Sequence, residues 1–132
     1  MTTAIICTAI LGALVFVLGG NVSRLRGAVG KAGETQQPTD PADRLFIAVR
    51  AHGNAAEYVP TLMVLFLLVG ARSPAGVAIP LIVGATAARL AHAYGMLTAA
   101  NWSDQTWGRV AGAFGTYLFG VALAVAAAVS LL

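Results

Sequence analysis

The residues able to do chemistry crowd into one stretch, Arg50-Ala51-His52-Gly53-Asn54-Ala55-Ala56-Glu57-Tyr58-Val59-Pro60. It carries a guanidinium, an amide, a carboxylate and a phenol at the head of the apolar run Thr61 to Gly70. On a helix, Arg50, Asn54 and Glu57 stand at i, i+4 and i+7 and share one stripe. Two further arginines, Arg89 and Arg109, interrupt later apolar stretches. At roughly 1.5 Å per helical residue, Glu57 lies about 20 Å from Gly70 and Arg89 about 22 Å from Pro74, so the two opposite charges reach a common depth. Arg50 and Glu57 are roughly 10 Å apart along their own helix, too far to satisfy each other. The expected pair is therefore Glu57 with Arg89. That leaves Arg50 and Arg109 as anion receptors at the mouth of a pocket, because a guanidinium grips a carboxylate through a bidentate fork.

Each of these residues also has a plainer reading. A Glu57–Arg89 pair could do no more than set helix register. Arg50 could snorkel to lipid phosphates, and Asn54 could be interhelical glue worth about 0.6–2 kcal/mol. Tyr94 and Tyr117 read as packing or interface residues. His52 and His92 read as locally hydrogen-bonded histidines, so no metal site is expected. The lone Cys7 reads as a small buried hydrophobe. The functional reading draws its weight from the combination: arginines, a carboxylate and an amide at nearly one level.

The elements that must position these groups follow from composition. Hydrophobic residues make up 58% of the 132 and charged residues only 10%, against about 25% charged in a soluble domain. The run after Pro60 is too short to cross a bilayer, which takes roughly 20 residues. A spanning helix that ends at Gly70 must therefore begin near Arg50, which places the polar stripe inside the membrane, where ionisable groups face a bundle interior or a wet cavity. The chain reads as a single transmembrane domain, 1–132, an all-α, up-down-up-down bundle of four helices at about 3–22, 41–70, 74–97 and 104–131. The first segment lacks a basic region before it and a clean cleavage site after it, and reads as a retained helix. Asp40 is placed as the cap of the second helix, with Pro41 in its first turn and Gly70 as its stop. Ser73-Pro74 opens the third helix, and Ser103 or Asp104 caps the fourth. Trp102 and Trp107 read as interfacial anchors. Gly108 and Gly112 form a small-xxx-small pattern that permits close helix contact. The formal charge of +3 is too small and dispersed for nucleic acid. Arg24, Arg26, Lys31 and Arg44 around the first loop place loops one and three in the cytoplasm and both termini outside.

Arg50-Ala51-His52-x-Asn54-x-x-Glu57-Tyr58-x-Pro60 resembles the second-helix signature of the MAPEG family, the membrane-associated proteins of eicosanoid and glutathione metabolism. Arg89-Leu90-Ala91-His92 resembles a helix-three segment of the same family, and the likeness covers nearly the whole chain, as a bacterial-type member. The resemblance implies a homotrimer in a bacterial inner membrane, with glutathione as co-substrate bound between neighbouring subunits in a cavity open to the cytoplasm. It implies that Arg50, Asn54, Glu57 and Tyr58 hold the tripeptide's carboxylates and amine, with Arg89 and His92 joining from helix three. Arg109 would correspond to the helix-four arginine that stabilises the thiolate. Where the glutathione-using members carry a helix-three tyrosine, this chain has Met96.

The leading expectation is a membrane glutathione transferase or peroxidase that takes a hydrophobic small molecule from the bilayer, its partners being its own copies and membrane lipids. The alternative, motivated by Met96, is a non-enzymatic protein that binds an anionic lipid or metabolite in the same arginine-lined pocket. A small four-helix multidrug exporter ranks below both, because the first helix lacks the coupling carboxylate of such exporters. A haem-binding bundle, suggested by the two histidines, would show a Soret band.

Overall fold

The computed structural model describes residues 1–130 as four α-helices: α1 (Thr2–Lys31), α2 (Arg44–Arg72), α3 (Ala75–Leu97) and α4 (Trp107–Val129). Each is long and apolar enough to cross a membrane. This is an integral membrane bundle in which α2 and α3 pack together, α1 lies against both, and α4 lies against both from elsewhere; among the described residues α1 and α4 form no packed pair. The shared core is built from Leu11 and Leu18 of α1, Val59, Phe66 and Val69 of α2, Ile82 and Ala85 of α3, and Leu123 of α4.

Helix α1 runs well past the boundary expected near residue 22. Its extension is held by packing: Val22, with Leu25 and Val29, rests on Leu45 and Ala48 of α2 in a second apolar cluster. A left-handed glycine then ends the helix. Gly33 has φ +74°, its N–H donates to the Gly30 carbonyl at 3.2 Å, and the Glu34 N–H donates to the Val29 carbonyl at 2.9 Å. This double bond pattern satisfies the last carbonyls of a helix and calls for glycine at the turning residue.

Helix α2 starts at Arg44, not at Pro41. Asp43 is the cap, and its carboxylate accepts from the N–H groups of Leu45 at 2.6 Å and Phe46 at 3.1 Å. Asp40 instead closes the preceding turn by accepting from the Ala42 N–H at 2.9 Å. The Pro41 carbonyl is taken by the N–H of Trp102 at 2.8 Å, which ties the first loop to the third. Gly70 does not stop α2, which continues to Arg72. Its role is clearance: a β-carbon there would come within 2.6 Å of the Ala4 β-carbon on α1.

The start of α4 is set by Thr106. Its hydroxyl accepts from the Arg109 N–H at 3.4 Å and donates to the Gly95 carbonyl at 2.8 Å, linking the cap to α3. Ser103 and Asp104 stay in the loop, where the Asp104 carboxylate accepts from the N–H groups of Ala100 and Asn101 at 3.1 and 2.9 Å. The expected end of this helix at position 131 lies outside the described residues. Small residues bring α4 onto α3: β-carbons at Gly108 and Gly115 would stand 3.0 Å from the Ala91 carbonyl oxygen and 2.8 Å from the Ala88 β-carbon. The small-xxx-small segment is thus the seam between these two helices.

Candidate functional site

The stripe on α2 faces a cleft of about 800 Å³ near the start of α4 and the third loop. Arg50, Gly53, Asn54 and Glu57 form the α2 wall, His92 lies on the α3 side, and Trp102, Gln105, Arg109 and Ala113 complete it. Arg50, Asn54, Glu57, His92 and Arg109, separated by up to half the chain in sequence, therefore line one hollow. A smaller adjoining cavity shares Asn54, His92 and Ala113 with it and is lined further by Tyr58, Arg89 and Tyr117.

Asn54, and not Glu57, receives Arg89. Arg89 as a whole residue is 1% exposed, and its Nη2 donates to Asn54 Oδ1 at 2.8 Å. The two side chains differ in azimuth. Asn54 and Glu57 are three positions apart, a turn of about 60° around the helix at 100° per residue. Asn54 is half-buried towards α3, whereas Glu57 is exposed on the open side of the cleft. Burying two opposite charges costs desolvation that their attraction repays only in excellent geometry. An amide meets one guanidinium without burying a second charge. Arg89 also lies beneath the Tyr58 ring, its guanidinium carbon 5.3 Å from the ring centre, while its Nε is buried without a protein partner. Arg89→Leu should leave Asn54 unpaired and remove this support, costing about 1–3 kcal/mol. Thermal unfolding in detergent checks this, and an unchanged midpoint would show that the pair does not stabilise the bundle.

His92 is nearly buried, and its Nδ1 is 2.8 Å from the Arg109 carbonyl oxygen. A carbonyl only accepts, so Nδ1 carries the proton. The bond pins α3 to the first turn of α4 just where Arg109 enters the cleft.

Arg109 is itself held. Its Nη1 donates to the carbonyl oxygens of Trp102 and of Asp104, the latter at 3.1 Å. Its guanidinium carbon is 4.1 Å from the centre of the Trp102 ring, and that of Arg50 is 5.0 Å from the same ring. One indole thus serves as a cation–π platform for both cleft arginines. The Trp102 ring is steadied by an edge contact with Phe46, ring centres 6.2 Å apart. Trp107, by contrast, is 82% exposed, as suits an interfacial anchor.

Two contributors lay outside the expected set. Trp102 reads from sequence as an anchor and turns out to be a cleft residue; an irregular loop has no periodicity to announce it. Tyr117 had a signal, since Arg109, Ala113 and Tyr117 recur every four residues down one side of α4. Its hydroxyl lies 3.1 Å from that of Tyr58, the rings meeting edge to face at 5.9 Å. Met96 is packed in the interior, 1% exposed, and Tyr94 faces outward. The phenols beside the cleft therefore come from α2 and α4.

This geometry bears directly on how the chain compares with known proteins. The model of the MAPEG family matches residues 4–129. The chain belongs to the MAPEG family. No individual curated protein matches it. Within this MAPEG chain, the helix-two stripe and the helix-four arginine are brought to one cleft, and the helix-three arginine is set behind it as a support for Asn54.

The cleft offers two guanidinium groups, Arg50 and Arg109, with the Glu57 carboxylate and the Asn54 amide, a donor set suited to a small anion that also carries an ammonium group. The volume lies within the range of about 300–1,000 Å³ usual for small-molecule sites.

Proposed function

We propose that this MAPEG protein is a membrane glutathione transferase or peroxidase acting on hydrophobic electrophiles or lipid hydroperoxides. In this reading it is a homotrimer in a bacterial inner membrane, its termini outside and its first and third loops cytoplasmic, with glutathione held between subunits at the cytoplasmic side. The observation that carries the reading is the convergence of Arg50, Asn54, Glu57, His92 and Arg109 on one cleft. A trimer is supported by how open that cleft is in one protomer. Arg50 and Glu57 are exposed, and the Tyr117 phenol, 57% exposed, stands about 15 Å along α4 from Trp107. Polar groups at that depth need protein or water around them, not lipid.

The chemistry needs no covalent enzyme intermediate. Arg50 takes a glutathione carboxylate, Glu57 the ammonium and Asn54 an amide, with Tyr58 lying beside them. Arg89 acts through Asn54, and His92 through the Arg109 carbonyl. The Arg109 guanidinium favours the thiolate over the thiol, because a nearby fixed cation lowers a thiol's pKa. The sulfur then attacks an electrophilic carbon delivered from the bilayer and displaces its leaving group. With a hydroperoxide, two glutathiones end as the disulfide while the peroxide becomes alcohol and water. The protein contributes position and charge stabilisation.

Calorimetry on detergent-purified protein tests the binding half of the proposal. Glutathione should give saturable heat, and Arg50→Ala should weaken it about 10–100-fold, the loss of a charge-assisted hydrogen bond. Two observations favour the alternative, a binder of an anionic lipid or metabolite in the same cleft. Arg109 is already engaged by two loop carbonyls, and Met96 supplies no phenol. That reading takes over if neither glutathione nor its S-alkyl analogues produce heat.

A further inference from the structure

A second basic hollow, of about 460 Å³, opens where the second half of α1 and the end of α3 meet the start of α2, and it shares no residue with the cleft. Its character changes along its length. Arg24, Asn21 and Arg44 form the rim, while Val17, Ile47 and Leu97 belong to its apolar part. From Arg24 to Val17 the wall descends about 10 Å along α1, from the end of the membrane-crossing stretch towards its middle. Among the described residues, no acidic side chain lines it. Arg24 donates to Asn21 Oδ1 at 3.0 Å, a contact within its own helix that leaves its charge uncompensated. Arg44 is the first residue of α2 and exposed. It stands where a helix's partial positive charge adds to its own.

We infer that this groove binds an anionic glycerophospholipid, its phosphate between Arg24 and Arg44 and one acyl chain along Val17 and Leu97. A guanidinium pair is matched to phosphate oxygens in charge and in donor geometry, and the apolar wall below accepts hydrocarbon. A zwitterionic headgroup would carry an ammonium into a rim that already holds two cations. A phosphatidylglycerol-type headgroup brings none, so the site selects anionic over zwitterionic lipid. Basic hollows at the cytoplasmic edge of a bundle recognise headgroups on these grounds. Membrane lipid is thus a specific ligand of α1 and α2, separate from whatever occupies the arginine cleft, and the assignment does not depend on glutathione being used.

The test is mass spectrometry of the intact protein released from nanodiscs containing equal amounts of dioleoyl phosphatidylglycerol and dioleoyl phosphatidylcholine. Wild-type protein should retain phosphatidylglycerol in clear preference. Arg24→Gln and Arg44→Gln should each lower that preference about fivefold, the worth of one basic residue at a membrane surface. Val17→Trp, at an exposed position that tolerates bulk, should cut retention of lipid with both charges in place. Arg72→Gln, at the far end of α2, should change nothing. Equal retention of the two lipids by wild type, or a preference that survives in the Arg24→Gln/Arg44→Gln double variant, would overturn the assignment.

Discussion

On the proposed function, Arg109→Ala should reduce glutathione-dependent turnover by about 100- to 1,000-fold while leaving the proposed oligomer intact, the usual cost of removing one donor that stabilises developing negative charge. The guanidinium lines the cleft and is braced from behind by the Trp102 and Asp104 carbonyls and the Trp102 ring. It is thus a preorganised charge. It need not be recruited during the reaction, and its orientation costs nothing when the thiolate forms. Because the same side chain ties down the loop, the variant must be examined for loop loosening as well. Size-exclusion chromatography should show an unchanged oligomer, and calorimetry a glutathione affinity within about tenfold of wild type, since the ground-state contacts assigned to Arg50, Asn54 and Glu57 remain. Arg109→Lys, which restores the charge without the planar fork, should recover only part of the rate. A turnover number equal to wild type in Arg109→Ala would remove this residue from the mechanism.

Gly112→Val should prevent the bundle from forming its α3–α4 seam. A β-carbon at Gly112 would stand 2.6 Å from both the Ala88 carbonyl oxygen and the His92 β-carbon, and would also overlap the His92 backbone nitrogen. Two of these are main-chain atoms of a packed helix and the third is a β-carbon fixed directly to it, so none can swing away as the far end of a flexible side chain can. Overpacking of a well-filled interior costs about 1–3 kcal/mol where neighbours can shift, and more where they cannot. Moving α4 outward would also draw the Arg109 carbonyl away from His92 and open the cleft. The expected result is a large loss of monodisperse protein and a much lower unfolding temperature in detergent. Gly76→Ala is the matched control, since nothing lies within 4 Å of a β-carbon there. A near-normal unfolding temperature for Gly112→Val would mean that the seam is not as close as described.

Whatever depends on count and composition could be read from the residues alone. Four apolar runs of spanning length are set by the bilayer's thickness. The common stripe of Arg50, Asn54 and Glu57 is set by the helical repeat. That α4 can approach another helix closely is set by Gly108 and Gly112; that this helix is α3 comes from the packing. The level at which Arg89 reaches the α2 stripe was legible too, because rise along a helix needs only a residue number. Rotation about the helix axis is different. It depends on how every neighbouring side chain packs, and so it is packing that sets Asn54 and not Glu57 against Arg89. The same holds for Tyr117 meeting Tyr58 across two helices. Loop residues lay furthest beyond reach. Trp102 becomes the shared platform of two arginines because its N–H finds the Pro41 carbonyl and its ring finds Phe46. Those partners are distant in the chain, and no local pattern encodes them.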